Sequence, residues 1–161
     1  MFMTAVTNIS GPAINNTDDA IAAFEQLSTD TKLGLLWVIY DNMGGSITPA
    51  APGSAETQFT QKLLDTVKSM EQQQQLEFMR DLVNRQSTEA TQEYATYTND
   101  NKLVFWYELA VLMAKGEVIP VPRSYSLPQD GLTLFDAITQ MEFNEQITIL
   151  RHAVLEMGPV A

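Results

Sequence analysis

Apolar residues recur at helical spacing through most of the chain, from Thr17 onward. The alternation of apolar and polar residues that marks a half-buried strand is nowhere sustained, so the pattern predicts an all-α protein. The spacing predicts eight helices: one from Thr17, one from Ser28 to Met43, and others over about 54–68, 69–84, 88–97, 100–115, 128–140 and 144–157.

Capping residues support several of these boundaries. Asn16 and Thr17 precede Asp18 and Asp19, two acids at the positive end of the first helix dipole. Ser69 with Gln72 fits a capping box for the fourth helix. We expect Gly44-Gly45 to end the second helix and Gly158-Pro159 to stop the last one. Residues 1–16 lack a helical period and are predicted to form an arm that precedes a single helical domain, 17–161.

A repeat becomes visible when the predicted helices are aligned at an offset of about 70 residues. The two halves are residues 17–88 and 89–158, and they share the order of their four helices. The matched pairs are Asp30 and Asp100, Lys32 and Lys102, Leu33 and Leu103, Met43 and Met113, Met70 and Met141, Gln75 and Gln146, and Arg80 and Arg151. We therefore expect two related four-helix units, joined at Gln86-Ser87, that bury their apolar stripes internally and against each other. An elongated ligand site is expected at their junction.

The charge and composition of the chain limit the classes of molecule that it can bind. The chain has 161 residues, with 9 basic and 20 acidic side chains and a formal net charge of −11, so phosphate backbones are poor partners and nucleic-acid binding is excluded. There is no cysteine, which excludes disulfides, thiolate metal sites and cysteine nucleophiles. No apolar run approaches the roughly 20 residues of a membrane span, and the N-terminus lacks a basic leader region. We expect a cytosolic protein that does not span a membrane.

Catalytic chemistry finds little support. The single histidine, His152, lies beside Arg151 with no cysteine to join it, so neither a histidine-based triad nor a metal site is predicted. The carboxylate pair Asp18-Asp19 is explained by its place at a helix start. The chain is predicted not to be an enzyme.

Two helices related by the repeat each present an aromatic pair flanked by leucine and methionine. The first carries Leu33, Leu36, Trp37, Tyr40 and Met43 on one face, and the second carries Leu103, Trp106, Tyr107, Ala110 and Met113. Such faces form an ordinary core in most proteins. The alternative is a flat-walled tunnel for a long conjugated ligand, because aromatic faces stack on extended π systems and methionine fills irregular gaps.

Arg151 lies beside an apolar stripe that contains Ile147, Val154 and Leu155. A permanently charged side chain in that position is expected at a rim, where it reaches water along the apolar surface. A cation offered to an acidic protein partner is the functional alternative.

Four segments resemble the N-terminal domain of the orange carotenoid protein family of cyanobacteria. They are Leu35–Gly44, Ala50–Gly53, Lys102–Leu109 and Gln146–Arg151, with the later Met157-Gly158, and the likeness runs from about residue 20 to 158. The resemblance implies two interleaved four-helix bundles with a keto-carotenoid between them, of the canthaxanthin, echinenone or 3′-hydroxyechinenone type. It implies that Trp37, Tyr40, Trp106 and Tyr107 line the pigment, with Leu33, Leu36, Met79, Leu103, Met113, Ile147 and Met157 as neighbours and Arg151 as a further candidate.

By resemblance the chain is similar to a helical carotenoid protein, a single-domain relative that light is not expected to switch. The expected function is photoprotection, in which the bound pigment quenches singlet oxygen or excitation energy. The alternatives are a carrier that exchanges carotenoid with a separate homologue of the family's C-terminal domain, and an effector that docks through Arg151 on the phycobilisome antenna at the thylakoid. The net negative charge argues against docking on an acidic antenna, so we favour singlet-oxygen quenching. Val104 and Ala110 stand where the full-length family is expected to have glycine, and their side chains are expected to narrow or shift the tunnel.

Overall fold

The computed structural model describes residues 13–43 and 57–160, and it describes the side chains of 57–59 no further than their helical backbone. The helices of this part are α1 (Thr17–Glu25), α2 (Thr29–Met43), α3 (Thr57–Ser69), α4 (Gln72–Val83), α5 (Glu89–Ala95), α6 (Asn99–Lys115), α7 (Gln129–Thr139) and α8 (Phe143–Leu155). No strand occurs among the described residues, in agreement with the all-α prediction.

Short polar side chains begin several of the helices, as the sequence pattern indicates. The Asn16 side chain accepts a hydrogen bond from the Asp19 backbone N–H at 2.8 Å, and the Asp19 carboxylate accepts one from the N–H of Asn15 at 3.0 Å. Thr88 and Thr98 cap α5 and α6 in the same way. The Asp18-Asp19 pair thus belongs to the first turn of α1, as expected of a capping role.

The predicted capping box at Ser69 is wrong. Helix α3 continues through Ser69, whose hydroxyl donates to the Thr66 carbonyl at 2.7 Å, so this side chain closes one helix instead of opening the next. Glu71 is the N-cap of α4, and its box partner is Gln74. The predicted start at Ser54 and the predicted stop at Gly44-Gly45 lie outside the described residues.

The helices of each half pack both within that half and against the other half, as expected, and the bundles exchange helices between the halves. Helix α1 packs on α7 and α8, and α2 packs on α7, while α3 packs on α4, α5 and α6. One bundle therefore combines α1 and α2 with α7 and α8, and the other contains α3 to α6. The pairs α2·α4, α2·α6 and α6·α8 join the two bundles. This is the interleaved arrangement that the family resemblance implies.

The repeat itself is visible in the hydrogen bonds. The buried Gln75 amide donates to the carbonyls of Val67 and Met70 at 2.9 and 3.3 Å. The Gln146 amide donates to Ile138 and Met141 at 2.9 and 3.2 Å. Each glutamine ties the start of its helix to the end of the preceding helix, so the two halves fix the same turn with the same side chain.

Candidate functional site

A cavity of about 360 Å³ lies between the bundles, where α2, α4 and α6 meet the loop that follows α6. Its walls are mostly apolar. Seven of the residues proposed from the sequence line it: Leu33, Leu36, Trp37, Tyr40, Met79, Trp106 and Met113. The aromatic faces of α2 and α6 thus meet at one cavity, as the tunnel hypothesis requires.

Five other proposed residues do not line this cavity. Leu103, Tyr107, Ile147 and Arg151 occupy the repeat positions of Leu33, Trp37, Leu76 and Arg80, which do line it. They therefore stand at the corresponding positions of the second half. Met157 lies at a separate pocket of about 180 Å³, together with Phe24, Lys32 and Arg85.

The sequence interpretation missed the wall that the loop after α6 supplies. Ile119, Pro120, Val121, Pro122 and Tyr125 close the cavity on that side. The signal for them is the apolar, proline-containing run just after Gly116, where solvent-exposed loops are usually polar. The missed helix residues are Asp30, Gly34, Leu76 and Arg80.

Gln75 fixes this loop to α4. Besides its two donor contacts, its side-chain oxygen accepts a hydrogen bond from the Ile119 backbone N–H at 2.7 Å. A buried amide that satisfies its donor and its acceptor holds its partners in one geometry, because an unmade hydrogen bond there costs free energy. Gln75 therefore helps to hold the loop wall of the cavity in place.

The Trp106 ring is held by a buried hydrogen-bond relay. Its indole N–H donates to the Tyr94 hydroxyl at 3.1 Å, and that hydroxyl donates to the Val154 carbonyl at 2.6 Å. Complete burial raises the pKa of Tyr94, so the hydroxyl remains protonated and keeps its donor role. Phe105 packs edge-on against both rings. The relay connects α5, α6 and α8 and fixes one aromatic wall of the cavity.

Tyr40 joins the two bundles directly. Its hydroxyl donates to the Leu103 carbonyl on α6 at 3.0 Å, and its ring lies 6.5 Å from that of Tyr107, centroid to centroid. Burial raises the pKa of Tyr40, which keeps the hydroxyl protonated. The Tyr40 ring thus lines the cavity, while its hydroxyl forms a hydrogen bond across the interface between the bundles.

The mouth of the cavity carries its charged groups. Arg80 binds Asp30 side-on, with Nε to Oδ1 at 2.9 Å and Nη2 to Oδ2 at 3.1 Å. Tyr125 lies beside them, with its hydroxyl so near Gly34 that a β-carbon at position 34 would overlap it. Glycine at position 34 therefore makes room for the tyrosine that covers the cavity.

Arg151 pairs with Asp100 on the surface, at the repeat positions of Arg80 and Asp30. The contact is a single one of 3.3 Å, and 46% of the Arg151 side chain is exposed. The Arg151 side chain therefore reaches the surface, while the expected rim position stays a prediction. His152 is also partly exposed, 4.0 Å from Glu25.

The chemistry that this cavity offers is that of a binding site. Its aromatic and aliphatic walls suit an extended apolar molecule, and its two charged lining residues, Asp30 and Arg80, pair with each other. Within 13–43 and 57–160, histidine and acidic side chains form no cluster suited to a metal ion. No helix of the described part has the length and hydropathy needed to cross a membrane.

Comparisons with known proteins show which family the chain resembles. A family model described as "Orange carotenoid protein, N-terminal" matches residues 12–159. An orange carotenoid-binding domain-containing protein of Nostoc sp. (strain PCC 7120) is 44% identical over 146 residues, which cover 88% of this chain and 85% of that protein. The orange carotenoid-binding protein of Limnospira maxima is 41% identical, and the match covers 86% of this chain and 44% of that protein. The chain thus spans less than half of that relative.

Solved structures agree with the fold. The Red Carotenoid Protein of Anabaena (Nostoc) sp. PCC 7120, which binds canthaxanthin, superposes with a TM-score of 0.80 at 31% identity, over 89% of this chain and 98% of that chain. The Orange Carotenoid Protein of the same organism, also with canthaxanthin, gives a TM-score of 0.83 at 32% identity, over 100% of this chain and 53% of that chain. The interleaved helices, the aromatic cavity and these matches lead to one conclusion: the chain belongs to the family of orange carotenoid protein N-terminal domains.

Proposed function

We propose that this chain binds a keto-carotenoid in the cavity between its bundles and uses the pigment for photoprotection. The observation that carries the proposal is the aromatic cavity, in which Trp37 and Tyr40 of α2 face Trp106 of α6. The relatives whose structures contain canthaxanthin support the ligand class. In this role the polyene supplies the photochemistry, and the protein supplies binding, orientation and exclusion of water.

Because a keto-carotenoid is a long molecule, the proposal extends the site along the interface into the second half. There Leu103, Tyr107 and Ile147 stand at the repeat positions of residues that line the described cavity. A ligand that runs between the bundles passes from the wall of Trp37 to the wall of Tyr107. This path gives the proposed site residues outside the cavity a place beside the pigment.

The first test is the absorption spectrum of the protein made in a host that accumulates canthaxanthin. We expect pigment to copurify with a red-shifted visible band. Trp37→Ala removes an aromatic wall and is expected to weaken pigment retention roughly fivefold, since aromatic contacts contribute about 1 kcal/mol beyond burial. Trp37→Phe keeps an aromatic face and is the matched control. Colourless wild-type protein that is folded by circular dichroism would overturn the proposal.

The photoprotective part has its own test. Holoprotein and apoprotein are compared for the protection of a singlet-oxygen probe under constant illumination with a sensitiser. The apoprotein is the control, because methionine, tryptophan and histidine side chains also react with singlet oxygen. We expect the holoprotein to protect severalfold better. Equal protection by the two forms would reduce the function to pigment binding alone.

A second candidate, docking on a phycobilisome antenna, is favoured by one observation. Arg151 is half exposed, and its carboxylate partner Asp100 is 74% exposed in its side chain, so the guanidinium is accessible at the surface. Docking predicts that holoprotein lowers antenna fluorescence and that Arg151→Leu abolishes this effect without loss of pigment. Salt weakens such a contact. Antenna fluorescence that responds to neither form supports singlet-oxygen quenching without docking.

A further inference from the structure

Three polar side chains meet at one end of an otherwise apolar cavity. Asp30 and Arg80 form a side-on ion pair there, and Tyr125 closes the same end. The other lining residues are aliphatic, aromatic, proline or glycine. Asp30, Arg80 and Tyr125 therefore bring the charged groups and a phenol hydroxyl of this cavity together in one place.

Asp30 orients the guanidinium of Arg80 but does not engage all of its N–H donors. Asp30 engages Nε and Nη2, and the described residues give Nη1 no hydrogen-bond partner. The geometry of a side-on pair holds Nη1 on the side opposite Nε, with its two N–H donors still free to bind an acceptor. About a third of the Arg80 side chain is exposed, so it lies at the boundary between cavity and water.

Tyr125 adds a hydroxyl at the same end. No hydrogen bond joins this hydroxyl to the part of the chain that the structure describes, and it lies against Gly34 inside the mouth. Burial, and then the nearby Asp30 charge, raise the pKa of Tyr125, and the Asp30 hydrogen bond raises the pKa of Arg80. Both groups therefore remain protonated donors near neutral pH, so the mouth is complementary to an oxygen acceptor.

We infer that Arg80, oriented by Asp30 and assisted by Tyr125, determines ligand specificity by donating a hydrogen bond to an oxygen on the end ring of the bound polyene. The inference rests on the proposed function and adds to it the end-group chemistry that this chain selects: a ring carbonyl or hydroxyl at the Arg80 end. A hydrocarbon ring in the same place leaves the guanidinium and the phenol without this acceptor, which is how polar sites reject an analogue that lacks the oxygen.

The test is a competition between two probes. Apoprotein is offered canthaxanthin, which has a carbonyl on each ring, and β-carotene, which has none, at equal concentrations, and the bound pigments are extracted and quantified by chromatography. We expect wild-type protein to prefer canthaxanthin by roughly tenfold, as a charge-assisted hydrogen bond gives. Arg80→Met, similar in length and apolar, is expected to lose most of that preference, while Arg80→Lys retains part of it.

Arg85→Met is the matched control, because Arg85 lies at the separate small pocket and pairs with Glu156. It is expected to keep the wild-type ratio of the two pigments. An unchanged ratio in Arg80→Met would overturn the inference and leave the proposed function standing. Failure of wild-type protein to take up either pigment would overturn both.

A vibrational measurement on wild-type protein tests the same hydrogen bond and does not depend on the folding of Arg80→Met. In wild-type protein loaded with canthaxanthin, one of the two ring carbonyl bands is expected at lower frequency than in an apolar solvent, because a hydrogen bond weakens the C=O bond. Asp30→Asn, which weakens the side-on contact that orients Arg80, is expected to move this band part of the way back toward its frequency in the apolar solvent. Two carbonyl bands at their apolar-solvent frequencies would overturn the inference.

Discussion

The two halves of the chain share their scaffold contacts but differ in the residues near the pigment path. Gln75 and Gln146 make the same pair of hydrogen bonds, and Asp30–Arg80 matches Asp100–Arg151. The N-caps of α4 and α8 match as well, with Glu71 and Gln74 against Glu142 and Glu145. The contacts that set the helix connections are thus the ones the halves have in common.

The differences lie on α1, α2 and their counterparts. Leu36 stands where the second half has Trp106, and Phe24 where it has Tyr94. The two changes are coupled: the second half has an indole N–H together with the hydroxyl that accepts it, and the first half has neither. Likewise, Gly34 of the first half corresponds to Val104 in the repeat. A symmetric scaffold thus encloses an asymmetric cavity, so the two ends of a ligand meet different walls.

The largest expected effect on stability comes from replacing Trp106 by leucine, the residue at the matching position 36 of the first half. Trp106→Leu removes a buried ring and its hydrogen bond to Tyr94, and we expect a loss of roughly 3 kcal/mol in the free energy of unfolding. Urea denaturation measures it. Adding Tyr94→Phe, so that both positions match the first half, is expected to cost less than the sum of the two single changes. Additive costs would show that the indole and the phenol are not coupled.

The second prediction separates the two buried glutamines. Gln75→Leu loses three hydrogen bonds, including the one from Ile119, and is expected to cost roughly 2 kcal/mol; Gln146→Leu loses two and is expected to cost about 1 kcal/mol. Only Gln75→Leu releases the loop wall, so only that variant is expected to shift the absorption of bound pigment. Identical spectra for the two variants would mean that the loop is placed by other contacts.

The helices and the repeat could be predicted from the sequence because both follow from local spacing. The predicted bounds of α5 to α8 lie within two residues of those in the structure, since caps such as Thr88 and Thr98 act within one turn. The error at Ser69 has the same origin, because Ser69 and Glu71 are both plausible caps and only the path of the chain decides between them.

Pairing between helices could not be predicted in this way. Each half has equivalent apolar stripes, so packing a half on itself and exchanging helices between halves satisfy the same pattern. The loop wall was missed because contacts between residues far apart in sequence place it, such as the hydrogen bond from Ile119 to Gln75 and the ion pair of Glu117 with Lys68. Seven of the twelve proposed site residues line the described cavity, and four of the others stand at repeat positions of lining residues.

Gly34, which corresponds to Val104 in the second half, is expected to matter more for pigment retention than for stability. Gly34→Ala places a methyl group where the Tyr125 hydroxyl lies, and Tyr125, which is 36% exposed, is expected to swing toward solvent. Alanine favours the helix by about 1 kcal/mol over glycine, which offsets the lost contact, so we expect the unfolding free energy to change by less than about 1 kcal/mol. Pigment dissociation is expected to quicken severalfold. A large loss of stability would show that Tyr125 has no room to move.

The smallest effect concerns the two matched lysines. Lys32 Nζ lies 5.7 Å from the centre of the Phe24 ring, and Lys102 Nζ lies 5.3 Å from that of Tyr94. Lys102 is only 7% exposed and donates to the Leu155 carbonyl at 3.4 Å. Burial lowers the pKa of Lys102 below its usual value of 10.5, with nearby Arg85 adding to the effect and Glu156 opposing it.

A lowered pKa in the folded state gives the stability a definite dependence on pH. Between the folded pKa of Lys102 and 10.5, the unfolded chain binds more protons than the folded one, so the free energy of unfolding rises with pH across that window. Lys102→Met removes this contribution, and we expect a shallower rise in the free energy of unfolding as the pH approaches 10.5, measured by urea denaturation. Lys32→Met controls for the loss of one positive charge. A slope that is the same in wild-type protein and Lys102→Met would mean that water reaches the ammonium group despite its burial.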